Sequence, residues 1–455
     1  MNLAELLTGH PFDDDEPLLC TLDGCVTAGE AKARASALAQ ELLDEDCRET
    51  AVAVRLPNTP AAVTAMAGVW LAGCVFVPLN VRQTDAEYDE VVKELNPSFL
   101  IDEDGLHLVG CVHQLFDADT AFVTWTSGTT GRPRPILHTH SAYLELLDRV
   151  LGPLRGAGAD PAKRPTPNLI PVSLALNAGI YNVLFGLRAG AALVIMERFD
   201  TSDFAELVRR FEIRSTVLPP ASMTMLADDD AVADLGPLRY VRSITAPLSP
   251  LSARRFTDKF GVTVLNSYGQ AEIGEVIGWT AADGREHPEK IGAAGRPHEG
   301  VRIKIDGDDE VGELLVRPPR MAAGLDDRVD ADGFVRTGDL ARVDAEGFVW
   351  IEGRVGDVIN RGGNKVFPDH VEEVLRLARG VRDVAVVGVP DGRLGEVPVA
   401  FVVGEADAEE LEALCRQHLV PYKVPVEFRR VDALPRSEVG KVLRRQLAER
   451  YTEDG

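Results

Sequence analysis

The stretch AFVTWTSGTTGRPRPILHTH (121–140) decides how this chain is read. A β-type run ending at Thr126 passes straight into a loop rich in Gly, Ser, Thr and Pro, and an amphipathic helical window, 140–150, follows. Strand, glycine-rich loop and helix in succession mark a parallel α/β unit. Gly128 and Gly131 let the backbone approach a ligand closely, Ser127, Thr129 and Thr130 offer hydroxyl donors, and consecutive N–H groups cup an anion. Such a loop suits a polyphosphate, although its spacing is not that of a Walker A loop. Taken alone, the same residues also make an ordinary surface turn.

The alternation continues on both sides. AVAVRL (51–56), GCVFVPL (73–79), AALVIM (191–196), STVLPP (215–220), VRSIT (241–245) and VTVLN (262–266) read as strands, and 60–72, 201–211 and 250–260 as helices between them. Strands that alternate with helices imply parallel sheets covered on both faces. After about residue 300 the texture changes to short, Gly-punctuated strands: VRIKI, GELLVRP, GFVRTGDL and GFVWIEG. Beyond GRVGD (353–357) comes a compact α+β stretch, with helices at 368–378, 408–418 and from about 440, and strands at 384–389 and 397–403. The expected fold class is α/β: a large N-terminal domain of layered parallel sheets with a small β region (1–354), and a small α+β C-terminal domain (355–455).

Composition narrows the partners. The chain of 455 residues carries 48 Lys+Arg against 72 Asp+Glu, a formal charge of −24. Such a surface repels phosphate backbones and anionic lipid heads, so neither nucleic acid nor a membrane surface is expected as a partner. Ala178–Met196 is apolar but contains Arg188 and three glycines, and reads as a buried helix followed by a strand, not a membrane span. Cys20, Cys25, Cys47, Cys74, Cys111 and Cys415 show no zinc spacing and are expected to be reduced thiols in the cytoplasm. The start, MNLAELL, carries Glu5 and lacks a basic stretch followed by a long apolar run, so no signal peptide is expected.

WTSGTTGRPRPILHTH resembles the signature of the adenylate-forming superfamily, which contains acyl-CoA synthetases, luciferases and peptide-synthetase adenylation domains. NSYGQAE (266–272), GFVRTGDL (333–340), GRVGDVINRGGNKVFPDHVE (353–372) and LPRSEVGKVLRR (434–445) resemble its later motifs, in family order and over nearly the whole chain. The resemblance implies a reaction in two halves. A carboxylate attacks the α-phosphate of ATP to give an acyl-adenylate and pyrophosphate; a thiol then takes the acyl group and AMP leaves. Oriented donors and cations must balance the charge brought together in the first half.

The resemblance also implies roles. Thr126, Ser127, Gly128, Thr129, Thr130 and Gly131 form the phosphate loop, with Thr126 counted among the catalytic residues. Glu272 is the carboxylate for Mg2+, a hard cation that takes one or two carboxylates beside phosphates; read alone it is a surface Glu at a helix start. Tyr268 lies against adenine, with Thr245, Ala246 and Pro247 lining the same slot, and Asn266, Ser267 and Gly269 are further nucleotide-binding residues. Asp339 accepts the ribose hydroxyls and Arg354 adds a second ribose contact; read alone, they are a turn residue and a surface ion-pair partner. Lys441, on a mobile C-terminal domain, reaches the acyl and phosphate oxygens. Only nine basic residues are Lys, and the family's loop Lys is here Arg134, yet Lys441 remains Lys. A compact ammonium is not interchangeable with a planar fork in a crowded anionic site. His140 matches the family's His and is assigned positioning; His138 and His140 lack a third ligand for a metal. Gly362 and Gly363 flank the pantetheine path of coenzyme A.

Departures narrow the substrate. PVSLALNAG (171–179) stands before the acyl pocket, where Leu176, Asn177, Gly179 and, from the later motif, Gln270 are the substrate candidates. No Asp stands ready for an α-ammonium group, so an uncharged acyl or aryl acid is expected. Asn177 either bonds a substrate hydroxyl or, as the larger expectation, caps the following helix. Pro135 removes an N–H from the loop exit, Ala271 replaces a hydroxyl, and Gly356 replaces the charged hinge residue. The expected activity is that of an acyl- or aryl-CoA synthetase, with ATP, Mg2+ and coenzyme A. The alternatives are a stand-alone enzyme loading the phosphopantetheine of a carrier protein, and a catalytically silent nucleotide-binding relative.

Overall fold

The computed structural model of the chain describes residues 2–109, 114–126, 134–154, 164–307, 310–321, 325, 328–436 and 442–454. Two compact units result. The first comprises Met1–Gly292, Pro297–Val301 and Pro318–Asp327; the second comprises Ala293–Arg296, Arg302–Arg317 and Arg328–Gly455.

The first unit holds two large sheets. One has six strands in the order Gly105–Leu108, Phe99–Asp102, Ala51–Val54, Val75–Pro78, Thr120–Thr126, Arg134–Thr139, parallel at its centre and antiparallel at both edges. The other has seven, in the order Thr263–Leu265, Tyr240–Ser243, Ser215–Leu218, Asn168–Ile170, Leu193–Ile195, Pro17–Cys20, Cys25–Thr27, parallel except at the last hairpin. Every strand expected here from the sequence is present. Successive side chains leave a strand on opposite faces, so a strand buried on both faces is apolar throughout. Val52 and Val54 enter the core shared with the helices Ala28–Asp44 and Pro60–Leu71, while Ala51 and Ala53 face Val91 and Leu95. Trp70 locks this layer: its buried indole donates to the Ala121 carbonyl at 2.6 Å.

The helix Ala28–Asp44 starts on a capping box, with Thr27 and Glu30 each satisfying the other's N–H. Asn177–Ala189 is the buried helix expected at Ala178–Met196, and Leu193–Ile195 the strand after it. Among the described residues no helix is long and apolar enough to cross a membrane.

The second unit joins a four-stranded antiparallel meander (Arg302–Asp306, Gly312–Arg317, Val335–Val343, Val349–Arg354) to a five-stranded sheet built on the long pair Val381–Asp391 and Gly395–Gly404. Helices Pro368–Leu375 and Ala408–His418 bury Val371, Leu375, Leu411 and Cys415 against Val384, Val386, Ala400 and Val402. The strand Glu427–Arg430, parallel to Gly395–Gly404, was not anticipated. The junction at 354/355 falls inside this unit.

One expectation is corrected. Cys20 and Cys25 stand opposite each other across a hairpin and form a disulfide, because cross-strand pairing brings their sulfurs together. The reduced-thiol reading stands for Cys47, Cys74 and Cys415, which are free and buried; Cys111 lies outside the described residues.

Candidate active site

The strand Thr120–Thr126 leads into the residues expected to form the phosphate loop. Thr126 ends the strand, in register with Arg134 of the antiparallel edge strand Arg134–Thr139, and the helix His140–Leu154 follows. An edge strand tolerates the missing N–H of Pro135. Ser127, Gly128, Thr129, Thr130 and Gly131, and likewise Lys441, lie outside the described residues.

His138 and His140 frame the helix start, and both are buried. His138 stacks on Phe122 at 4.4 Å, and its Nε2 meets the Thr124 hydroxyl at 2.8 Å. Burial pulls His138 down to about 3 and His140 to about 4, so both are neutral. His140 Nδ1 accepts the N–H of Leu3 at 3.1 Å, which ties the ring to the N-terminal segment.

NSYGQAE makes a tight hairpin. Ser267–Gln270 pairs antiparallel with Gly274–Gly278, with a register shift between Tyr268 and Gly269. A Cβ on Gly269 would lie 2.2 Å from the Gly274 carbonyl oxygen, so the close approach demands glycine. Ser267 Oγ donates to the Ser243 carbonyl at 2.9 Å, Ser267 N donates to the Asn266 side-chain oxygen, and Gln270 Nε2 donates to the Tyr268 hydroxyl at 3.3 Å. Thr245 has φ +71°, a left-handed conformation that β-branched residues rarely take, and Thr245, Ala246 and Pro247 are exposed. Glu272 lines a cavity of about 30 Å3 together with His138, Tyr143, Arg149, Gly274 and Arg320.

The substrate candidates divide. Asn177 is not a helix cap: the N-cap is Leu176, which makes no side-chain bond, and the Asn177 side-chain oxygen accepts from the Tyr143 hydroxyl at 2.8 Å. The cap expectation fails because the helix starts at Asn177 itself, where the side chain turns to a neighbouring helix. Gly179 is set by packing, since a Cβ there would sit 2.1 Å from the Ser173 carbonyl oxygen.

In the second unit, Asp339 and Arg354 are cross-strand partners, and Arg354 Nε lies 2.9 Å from Asp339 Oδ1. Asp339 is not a turn residue: it is buried within the strand Val335–Val343, where Thr337 Oγ donates to the Leu314 carbonyl and accepts the Asp339 N–H. Gly338 takes φ +73° inside that strand, where its pairing with Gly312–Arg317 shifts register. Gly362 (φ +58°) and Gly363 (φ +88°) form the two-residue turn between Ile359–Arg361 and Asn364–Val366, where two positive φ values are required. Gly356 lies in a short 3-10 turn, Val355–Asp357, with open space where a Cβ would go.

Sequence reasoning missed a buried polar cluster in the first unit. Glu275 meets Arg242 at 2.9 Å and His298 at 3.0 Å. Burial pushes the Glu275 carboxyl up, but Arg242 and His298 outweigh it and hold it below the ordinary range. Tyr143 and Tyr181 are raised by burial. Arg149 joins them; its i,i+4 spacing to Glu145 signals a solvated surface pair, which is why the sequence hides it. Among the described residues no group of three or more His, Cys, Asp or Glu could hold a metal.

Comparison with known proteins follows the same lines. Residues 13–115 and 113–325 match the family model described as AMP-binding enzyme, and 370–441 match the AMP-binding enzyme C-terminal domain. The chain is 26% identical over 427 residues to an uncharacterized acyl–CoA ligase of Bacillus subtilis, covering 87% of each. It is 29% identical over 469 residues to the 2-succinylbenzoate–CoA ligase of the same organism, covering 93% of each. Its fold resembles that of the B. subtilis o-succinylbenzoate CoA synthetase solved with its acyl-adenylate intermediate, with a TM-score of 0.85 at 25% identity over 98% of this chain and 97% of that one.

Proposed function

The chain belongs to the AMP-binding enzyme family, and on that premise we propose that it is an ATP-dependent acid–thiol ligase joining a carboxylic acid to coenzyme A. The observation that carries this reading is that both family models match, so one chain holds the nucleotide-binding part and the part that ends at Lys441. The acid's carboxylate oxygen attacks the α-phosphorus of ATP and pyrophosphate leaves. The thiol of coenzyme A then attacks the acyl carbon, losing its proton, and AMP leaves.

Glu272 fits Mg2+: it is a single carboxylate on a cavity wall with no crowd of competing ligands among the described residues. Mg2+, when bound with the triphosphate, draws charge off the phosphate oxygens. Asp339, a buried acceptor already oriented by Arg354 and Thr337, suits a pair of ribose hydroxyls. Lys441 supplies positive charge to the oxygens of the adenylation transition state. Tyr268, with the exposed Thr245–Pro247 segment, offers walls for adenine, and Asn177 an amide for the acid. Residues 355–455 are the mobile part, with Gly356 as the hinge.

Pyrophosphate exchange over a broad panel of acids, with hydroxamate trapping, tests the first half; thioester formation with coenzyme A against a phosphopantetheinyl carrier protein tests the second. Lys441→Met is expected to cost about 100-fold or more in exchange. Exchange with no acid at all would leave only a nucleotide-binding protein.

A further inference from the structure

Arg149 is an unusual cation. It stands on the helix His140–Leu154, and its side chain is 4% exposed. Charged side chains are rarely buried so deeply without full pairing, because a desolvated guanidinium has lost its water. Here the pairing is poor. Nη1 reaches Glu145 and Nη2 reaches the Glu275 carbonyl oxygen, both at 3.4 Å, beyond the usual range for an N–H···O bond. Nε is buried and has no hydrogen-bond partner among the described residues. Besides Glu145 at 3.4 Å, Glu275 also bears on the fork, but its carboxylate is committed to Arg242 and His298. Burial accordingly pulls Arg149 below its ordinary range, against the partial support of Glu145, Tyr181 and Glu275.

This under-satisfied fork lines the 30 Å3 cavity that Glu272 also lines. Its polar wall also includes Tyr143, the exposed Arg320 and His138, which is neutral and bonded to Thr124, while Ala142, Leu146, Ala271, Ile273 and Met321 make the rest largely apolar. The cavity thus holds two guanidinium groups against one carboxylate. A buried donor fork beside a void is matched in charge and shape by a planar oxyanion, while the apolar part of the lining suits the carbon chain that carries it.

We propose that Arg149 reads a second carboxylate on the acid that is activated, so that the substrate class is a short dicarboxylic acid. This rests on the ligase reading above and revises the expectation of an uncharged acyl group drawn from Leu174, Leu176 and Ala178. Glu272, assigned there to the phosphate end, shares the chamber, so the two ends of the acid are separated by only a few atoms. Binding closes the unmet hydrogen-bond capacity of the fork, whereas a monocarboxylate leaves it open and desolvated.

The test is pyrophosphate exchange with malonate, succinate, glutarate and phthalate against acetate, propionate, butyrate and benzoate. Wild type is expected to favour one diacid over its matched monoacid by tenfold or more in kcat/KM, about the worth of one hydrogen bond to a charged group. Arg149→Leu should cost that diacid about 100-fold while changing the monoacid and the KM for ATP by less than about threefold. Arg149→Lys keeps the charge without the fork and should give an intermediate preference; should Arg149→Leu not fold, that variant decides. A wild type that prefers monoacids, or a variant that slows all acids equally or raises the KM for ATP alone, overturns the assignment while leaving the ligase reading intact. Exchange with none of these acids or any others would remove the ligase reading, and this one with it.

Discussion

Arg444 offers a quantitative test of how the segment after Lys441 is anchored. It is the first residue of the C-terminal helix Arg444–Asp454. Its Nη2 lies 2.6 Å from both Asp369 Oδ1 and Glu372 Oε1, its Nη1 3.7 Å from Asp357, and its Nε donates to the Val386 carbonyl. Burial lowers the guanidinium's pKa, but Glu372, Asp369 and Asp357 together raise it above the ordinary arginine range. Glu372 is 4% exposed on its side chain, so Arg444→Met strands a buried carboxylate. Removing one partner of a buried pair costs about 3–5 kcal/mol. Glu372 keeps the Val386 N–H and Arg376, each at 2.9 Å, which places the loss at the low end, about 3 kcal/mol. Hydrogen exchange of the strands Val381–Asp391 and Gly395–Gly404 reads the stability of this unit without unfolding the other. About 3 kcal/mol corresponds to exchange faster by about 100-fold. Adding Glu372→Met to Arg444→Met should recover much of the loss, since both buried charges are then gone and Asp369 can hydrate. Exchange accelerated less than about fivefold, or a double variant weaker than either single, would refute the reasoning.

Three further outcomes are expected. His138 and His140, held neutral by burial with values near 3 and 4, contribute stability that is complete above their ordinary 6.5 and is lost as pH falls from there towards 4. Each is worth at most about 3 kcal/mol over that window, so the thermal midpoint should fall by several degrees between pH 7.5 and pH 5; a flat profile there contradicts the burial argument. Gly179→Ala forces a Cβ to within 2.1 Å of the Ser173 carbonyl oxygen; because backbone must move, the cost should be about 3 kcal/mol, and an unchanged urea midpoint would show the packing to be looser than it stands. Asp339→Asn removes the carboxylate held by Arg354 at 2.9 Å; the KM for ATP should rise about 10–100-fold with the far-UV spectrum intact, and an unchanged KM would take Asp339 out of the nucleotide site.

The layered sheets were legible because their signal is local: strands such as Ala51–Val54 and Leu193–Ile195 are apolar throughout, and period and punctuation are written along the chain. The edge strand Arg134–Thr139 was not, since Pro135 and the short apolar run after it mimic a loop exit. Asn177 was misjudged for a related reason. An Asn before a helical run has the pattern of a cap, and only the position of Tyr143 on another helix shows where its side-chain oxygen goes. Asp339 and Arg354 were both singled out, but their facing each other is a matter of strand register.

What the sequence determined by itself is the set of elements and the order of the motif blocks, together with the glycines at 362 and 363 that a two-residue hairpin turn requires. What only tertiary structure decided is charge environment. Arg149 and Glu145 look like one more surface pair in sequence. Only the strand Gly274–Gly278, more than a hundred residues away, brings Glu275 beside that helix and turns Arg149 into a desolvated cation on a cavity wall. The cost of a buried charge depends on what surrounds it in space, and no spacing along the chain encodes that.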